Sequence, residues 1–118
     1  MNCYFDHKGN PKVKLVLIGE NKEVEIDALV DTGFNGSLML TLPLALMLGL
    51  KLISSATANF ADGSFKNQLV FEGKVKLKNK IVTVDILLTE DEENKMGIAL
   101  LKNNKLTINF SKKIISIS

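Results

Sequence analysis

Apolar and polar residues alternate with period two along most of this chain, the pattern of strands that press one face into a core. Residues 13–19, VKLVLIG, and 23–31, EVEIDALVD, flank GENK and predict a hairpin. In its second strand Val24, Ile26, Ala28 and Val30 share one face, and Glu25, Asp27, Leu29 and Asp31 share the other. GKVKLK (73–78) and IVTVDILL (81–88) predict a second hairpin around Asn79, with Val75 and Leu77 alternating against Lys74, Lys76 and Lys78. A third has strands around 56–61 and 64–71 and turns at Asp62-Gly63, a dipeptide suited to tight hairpins. KLTINF (105–110) and KIISIS (113–118) supply two further strands.

Two short helices complete the prediction. Thr41 stands where it caps a helix with Pro43 in the first turn, running through LALML to Gly49. A second is expected over GIALLKNN (97–104), ended by Asn103 and Asn104. The acidic run TEDEENK (89–95) reads as a solvated loop. The fold class is all-β, mainly β with one or two short helices, and residues 1–118 are expected to form a single domain.

Composition narrows the function. With 46% hydrophobic and 24% charged residues, the chain is of the globular rather than the disordered type. A net charge of +2, carried by fifteen lysines and no arginine, gives no reason to expect nucleic acid or a membrane as partner. Cys3 is the only cysteine, so neither an internal disulfide nor a cysteine zinc site is possible, and it reads as a small apolar packing residue. His7, the only histidine, lies in the turn sequence DHKGNP and reads as solvated; no metal is implied. The most apolar run, LMLTLPLALMLGL (38–50), is too short for a bilayer and carries a proline. The N-terminal residues lack a basic stretch followed by an apolar block, so a cytoplasmic location is the expectation.

One stretch carries candidate chemistry: IDALVDTGFNGSLML, residues 26–40. A carboxylate among apolar residues is costly unless it is paired or hydrogen-bonded. Asp31 ends an apolar strand and is followed at once by Thr32 and Gly33. An Asp-Thr/Ser-Gly triplet arises by chance in on the order of one chain in twenty of this length, and its plain reading is an Asx-type turn. Context adds to it. About thirty residues on comes the FADGSF hairpin, and some way beyond it MGIALL gives an apolar residue, a glycine and a helical segment.

This order resembles the retropepsin-like aspartic proteases, in particular the small single-domain bacterial type, over nearly the whole chain. The resemblance implies a closed acid-protease barrel, one lobe per chain. Asp31 would be the catalytic carboxylate. Thr32 would bond across to the partner loop, and Gly33 would let the backbone pack under the acid. Ala61, Asp62, Gly63 and Ser64 would form the flap over an extended polypeptide substrate, with Met96 and Gly97 behind the active-site loop. Leu29, Phe34 and Ile98 are the candidate pocket walls. Hydrolysis of this kind needs two carboxylates sharing one proton and no cofactor. With one Asp-Thr-Gly the chain holds half a site, so the resemblance implies a homodimer with two Asp31 carboxylates on a two-fold axis. In relatives the terminal strands often form a sheet between subunits; MNCYF and KIISIS suit that or pairing within one chain.

The chain departs from the family at three points. The retroviral acid–arginine pair is replaced by Asn35 and Ile98, so both charges are absent together and neither is orphaned. Relatives usually carry two apolar residues before the later glycine; here Lys95 precedes Met96. Ala99 stands where an acid often follows. The alternative reading is a non-catalytic β-rich peptide-binding module, with Asp31 closing a turn and the 56–71 hairpin gripping a peptide by strand addition.

Overall fold

The computed structural model describes residues 1–20, 22–59 and 62–118. Alternation at the N-terminal side becomes three antiparallel strands, β1 (Asn2–Phe5), β2 (Pro11–Ile18) and β3 (Glu23–Val30). Next come β4 (Leu38–Thr41), helix α1 (Leu42–Leu48), β5 (Lys51–Asn59), β6 (Phe65–Leu77) and β7 (Lys80–Thr89). The chain ends with β8 (Asn94–Met96), a 3-10 turn over Ile98–Leu100, and the hairpin β9 (Leu106–Asn109) and β10 (Ile114–Ile117).

The large sheet runs in the order β1-β2-β3-β8-β4-β7-β6-β5. A further antiparallel pairing of β2 with β6, from Val16↔Lys76 to Ile18↔Lys74, closes six of these strands into a barrel. Closure pairs both edges of each of the six strands, leaving β1 and β5 outside the ring. Parallel pairing of β8 with β3 and antiparallel pairing with β4 inserts a three-residue strand between them.

The inward face follows the predicted alternation. Ile26, Ala28 and Val30 of β3 are buried, as are Val13, Leu15 and Leu17 of β2. Val30, Met96, Leu38 and Ile86 form one continuous inward row across β3, β8, β4 and β7, three of them fully buried. Each such side chain contributes about 1.5–3 kcal/mol by leaving water. Cys3 packs against this core, and burial pushes its thiol pKa up.

Helix α1 starts and stops where expected, with Pro43 in its first turn and Gly49 at its C-cap in the left-handed region (φ 66°). Thr41 caps it by backbone position alone; its own N–H donates to Asn94 Oδ1 (3.1 Å). Among the described residues no helix is long and apolar enough to cross a membrane.

Three expectations need correction. The helix over 97–104 is reduced to the 3-10 turn Ile98–Leu100, because Gly97 enters it fully extended and Asn103 is left-handed (φ 66°). The strands read as 64–71 and 73–78 are one strand, β6: Gly73 does not break it but makes room for Ile86, whose Cδ1 would lie 2.5 Å from a Cβ there. The run 89–95 is not wholly a solvated loop. It includes the start of β8, and Glu93 pairs with the nine-tenths buried Lys12. Strands β1 and β10 pair with β2 and β9 of the same chain.

Candidate active site

Strand β3 delivers Asp31. Val30 points into the core, and the Asp31 N–H extends the pairing by donating to the Met96 carbonyl (2.9 Å), so the acid stays on the outer face with Leu29. The chain then turns. Gly33 N–H donates to Asp31 Oδ1 (2.9 Å), and Phe34 N–H donates to the Asp31 carbonyl (3.2 Å). This is the Asx-type turn expected of the triplet. It holds one carboxylate oxygen and leaves the carboxylate half-buried, with Thr32 and Gly33 exposed.

The loop from 31 to 37 is fastened from behind by 96–99. Gly97 N–H donates to Ser37 O (2.9 Å), Ile98 N–H to Phe34 O (2.9 Å) and Ala99 N–H to Gly36 O (3.1 Å). Such close backbone contact requires glycine at 97: a Cβ there would meet Gly36 O at 2.2 Å and Phe34 O at 2.6 Å. At Gly36 a Cβ would meet only the Phe34 ring, at 2.6 Å.

The residues singled out by sequence are therefore distributed as follows. Asp31, Thr32, Gly33, Phe34 and Ile98 come together in one laced unit, with Leu29 two residues upstream on the outer face. The Phe34 ring fills the space over Gly36 and Gly97, behind the loop. Met96 is fully buried. Asp62, Gly63 and Ser64 form the exposed tip of the β5–β6 hairpin, with Gly63 left-handed (φ 84°); Ala61 lies outside the described residues. Ser64 N–H and Oγ–H both donate to Asp62 Oδ1 (2.9 and 2.6 Å), which lowers the Asp62 carboxyl pKa. These bonds stay within the tip.

Two contributors escaped the sequence reading. Asn94 joins the strand ends beside the site: its Oδ1 takes the Thr41 N–H, and its Nδ2 donates to Asp27 O (3.3 Å). Lys12 lies opposite Leu29 across β2 and β3, buried and paired with Glu93 and, at 3.8 Å, with Asp6. Both sit in runs of ordinary polar sequence, and only their distant pairing partners distinguish them.

A closed six-stranded barrel, with a glycine-backed acid loop crossed by a strand inserted from the C-terminal side, is the retropepsin fold. The structure is similar to that of EIAV protease complexed with the inhibitor HBY-793. The TM-score is 0.59 at 16% sequence identity, over 84% of this chain and 91% of that one. At that identity the likeness is one of fold. No protein-family model matches the sequence, and no curated protein matches it.

Proposed function

We propose that residues 1–118 form one lobe of a homodimeric aspartic endopeptidase acting on polypeptides, with no cofactor. The observation that carries this is the acid loop: in a retropepsin fold, Asp31 is presented half-buried at a strand end while its backbone is locked against 96–99. The chain has a single Asp-Thr-Gly, so a second Asp31 must come from a second copy. Two adjacent carboxylates cannot both ionise readily, and the pair retains one proton. The ionised member removes a proton from water as its oxygen attacks the peptide carbonyl. The protonated member donates to the developing oxyanion, and the amine leaves with a proton as the C–N bond breaks. The exposed Thr32 hydroxyl is free to bond across the two-fold axis, and the tip formed by Asp62, Gly63 and Ser64, with the preceding Ala61 of the sequence, acts as the flap.

The test combines mass and chemistry. The protein should be a dimer in solution and cleave a denatured protein. Asp31→Asn should remain a dimer and lose a factor on the order of 10²–10⁴ in rate. A strict monomer at high concentration, or equal cleavage by Asp31→Asn, overturns the proposal; a monomer that binds peptides without cutting them supports the binding-module alternative.

A further inference from the structure

On the endopeptidase reading above, we infer that Lys95 makes the wall beside Asp31 selective for acidic substrate side chains. Lys95 is the Cα partner of Leu29 in the β3–β8 pairing, and Leu29 lies two residues before Asp31 on the same face. Residues paired in register point to the same side of a sheet. Burial agrees: Val30, Met96 and Leu38 are the inward set, while Leu29, Lys95 and Met39 are half-buried on the other side. Next to Asp31 on this face there is therefore an apolar residue and, on the neighbouring strand roughly 4.8 Å away, a lysine.

The charge is poised rather than spent. Lys95 pairs with Asp91, four residues earlier, whose side chain is 64% exposed against 20% for the lysine. Asp91 is the solvent-facing member, so it returns to water readily when a substrate carboxylate takes its place on the ammonium. Once an extended peptide covers the row, screening falls and the exchange gains value. An apolar side chain laid there would instead desolvate the ammonium, and a basic one would be repelled. On the other side of Leu29, Lys12 is neutralised by Glu93 and Asp6, so the attraction rests on Lys95 alone. Two-fold symmetry puts one Lys95 on each side of the scissile bond, so the preference applies on both sides of it.

Binding to the Asp31→Asn protein separates this subsite from the chemistry. Three dye-labelled decapeptides, differing only in having Glu, Leu or Lys at the four central positions, are titrated by fluorescence anisotropy. The Glu peptide should bind about tenfold more tightly than the others. That margin should vanish with Lys95→Met, persist with Lys95→Arg and reverse towards the Lys peptide with Lys95→Glu. Circular dichroism checks that each variant is folded; should Lys95→Met not fold, the Arg and Glu variants decide. No acidic preference, or one unchanged by Lys95→Met or Lys95→Glu, overturns the inference. Acidic selectivity in a protein that cuts nothing upholds the subsite and removes the endopeptidase reading.

Discussion

Gly36 and Gly97 approach so closely that a methyl group on Gly97 would stand 2.2 Å from the Gly36 carbonyl oxygen. The two glycines nevertheless have different obligations, because Gly36 is crowded only by the Phe34 ring whereas Gly97 is crowded by ring and backbone together. Gly36→Ala should cost about 1–3 kcal/mol, the usual penalty for overpacking. Combined with Phe34→Ala, most of that penalty should disappear, since the ring is the only obstacle. Gly97→Ala should cost at least as much, and Phe34→Ala should not rescue it. Urea unfolding of the parent, the three single variants (Phe34→Ala included) and the two double variants gives both coupling energies; rescue of Gly97→Ala would show that the backbone contact yields.

Asp31 has a structural duty separable from any chemistry. Its Oδ1 accepts the Gly33 N–H at 2.9 Å. Asparagine keeps an oxygen at that position and alanine does not. Asp31→Asn should therefore unfold within about 0.5 kcal/mol of the parent, and Asp31→Ala should lose about 1 kcal/mol. Thermal unfolding of the two variants side by side measures the difference; equal losses would mean that the turn does not depend on the side chain.

These two predictions rest on features that differ in how far the sequence reveals them. β3 could be read directly, because a strand with one buried face writes its burial as period two: Ile26, Ala28 and Val30 inward, Glu25 and Asp27 outward. The Asp62-Gly63 turn likewise announces itself through a dipeptide whose glycine is left-handed. β4 and β8 did not. Leu38 and Leu40 are submerged in an apolar run, and Asn94–Met96 is three residues at the end of an acidic one. Each is a strand only because of partners far away in the chain, and short segments carry too little pattern to show that. Of the acid loop, Asp31 and Gly33 could be read locally. Its fastening to 96–99 could not, because backbone hydrogen bonds leave no mark on composition; only the family resemblance set Met96 and Gly97 behind the loop.

The turn at residues 6–10 should make part of the stability acid-sensitive. Asp6 Oδ1 accepts the N–H groups of Asn10 and Lys8, both at 2.9 Å, and Lys12 lies 3.8 Å from its other oxygen. The bond from Asn10 is the chief cause holding the Asp6 carboxyl below the ordinary carboxylate range, with Lys8 and Lys12 assisting. A carboxyl depressed in the folded state stabilises it fully above the unfolded pKa, and this contribution is lost as pH falls through the folded value. Asp6→Asn should therefore be less stable than the parent at neutral pH, and the two should converge as pH falls below about 4. Urea midpoints from pH 2.5 to 7 provide the check; a constant gap would mean that the charge of Asp6 has no part in it.

The buried Lys12 gives the sharpest asymmetry between two partners. Its side chain is 11% exposed and that of Glu93 is 42% exposed, so the ammonium is the group that folding removes from water. Glu93→Gln leaves this ammonium in place with Asp6 3.8 Å away as its remaining acidic partner. Lys12→Met removes the buried charge altogether, fills much of the same volume, and returns Glu93 to solvent. Leaving a buried charge underpaired costs more than replacing it with an apolar group of similar shape. Glu93→Gln should destabilise by about 1–3 kcal/mol, and Lys12→Met by less. The double variant should resemble Lys12→Met, because without the ammonium Glu93 has little left to stabilise. Chemical denaturation of the three variants tests the order, and a greater loss for Lys12→Met than for Glu93→Gln would show that the ion pair's attraction outweighs the cost of burying it.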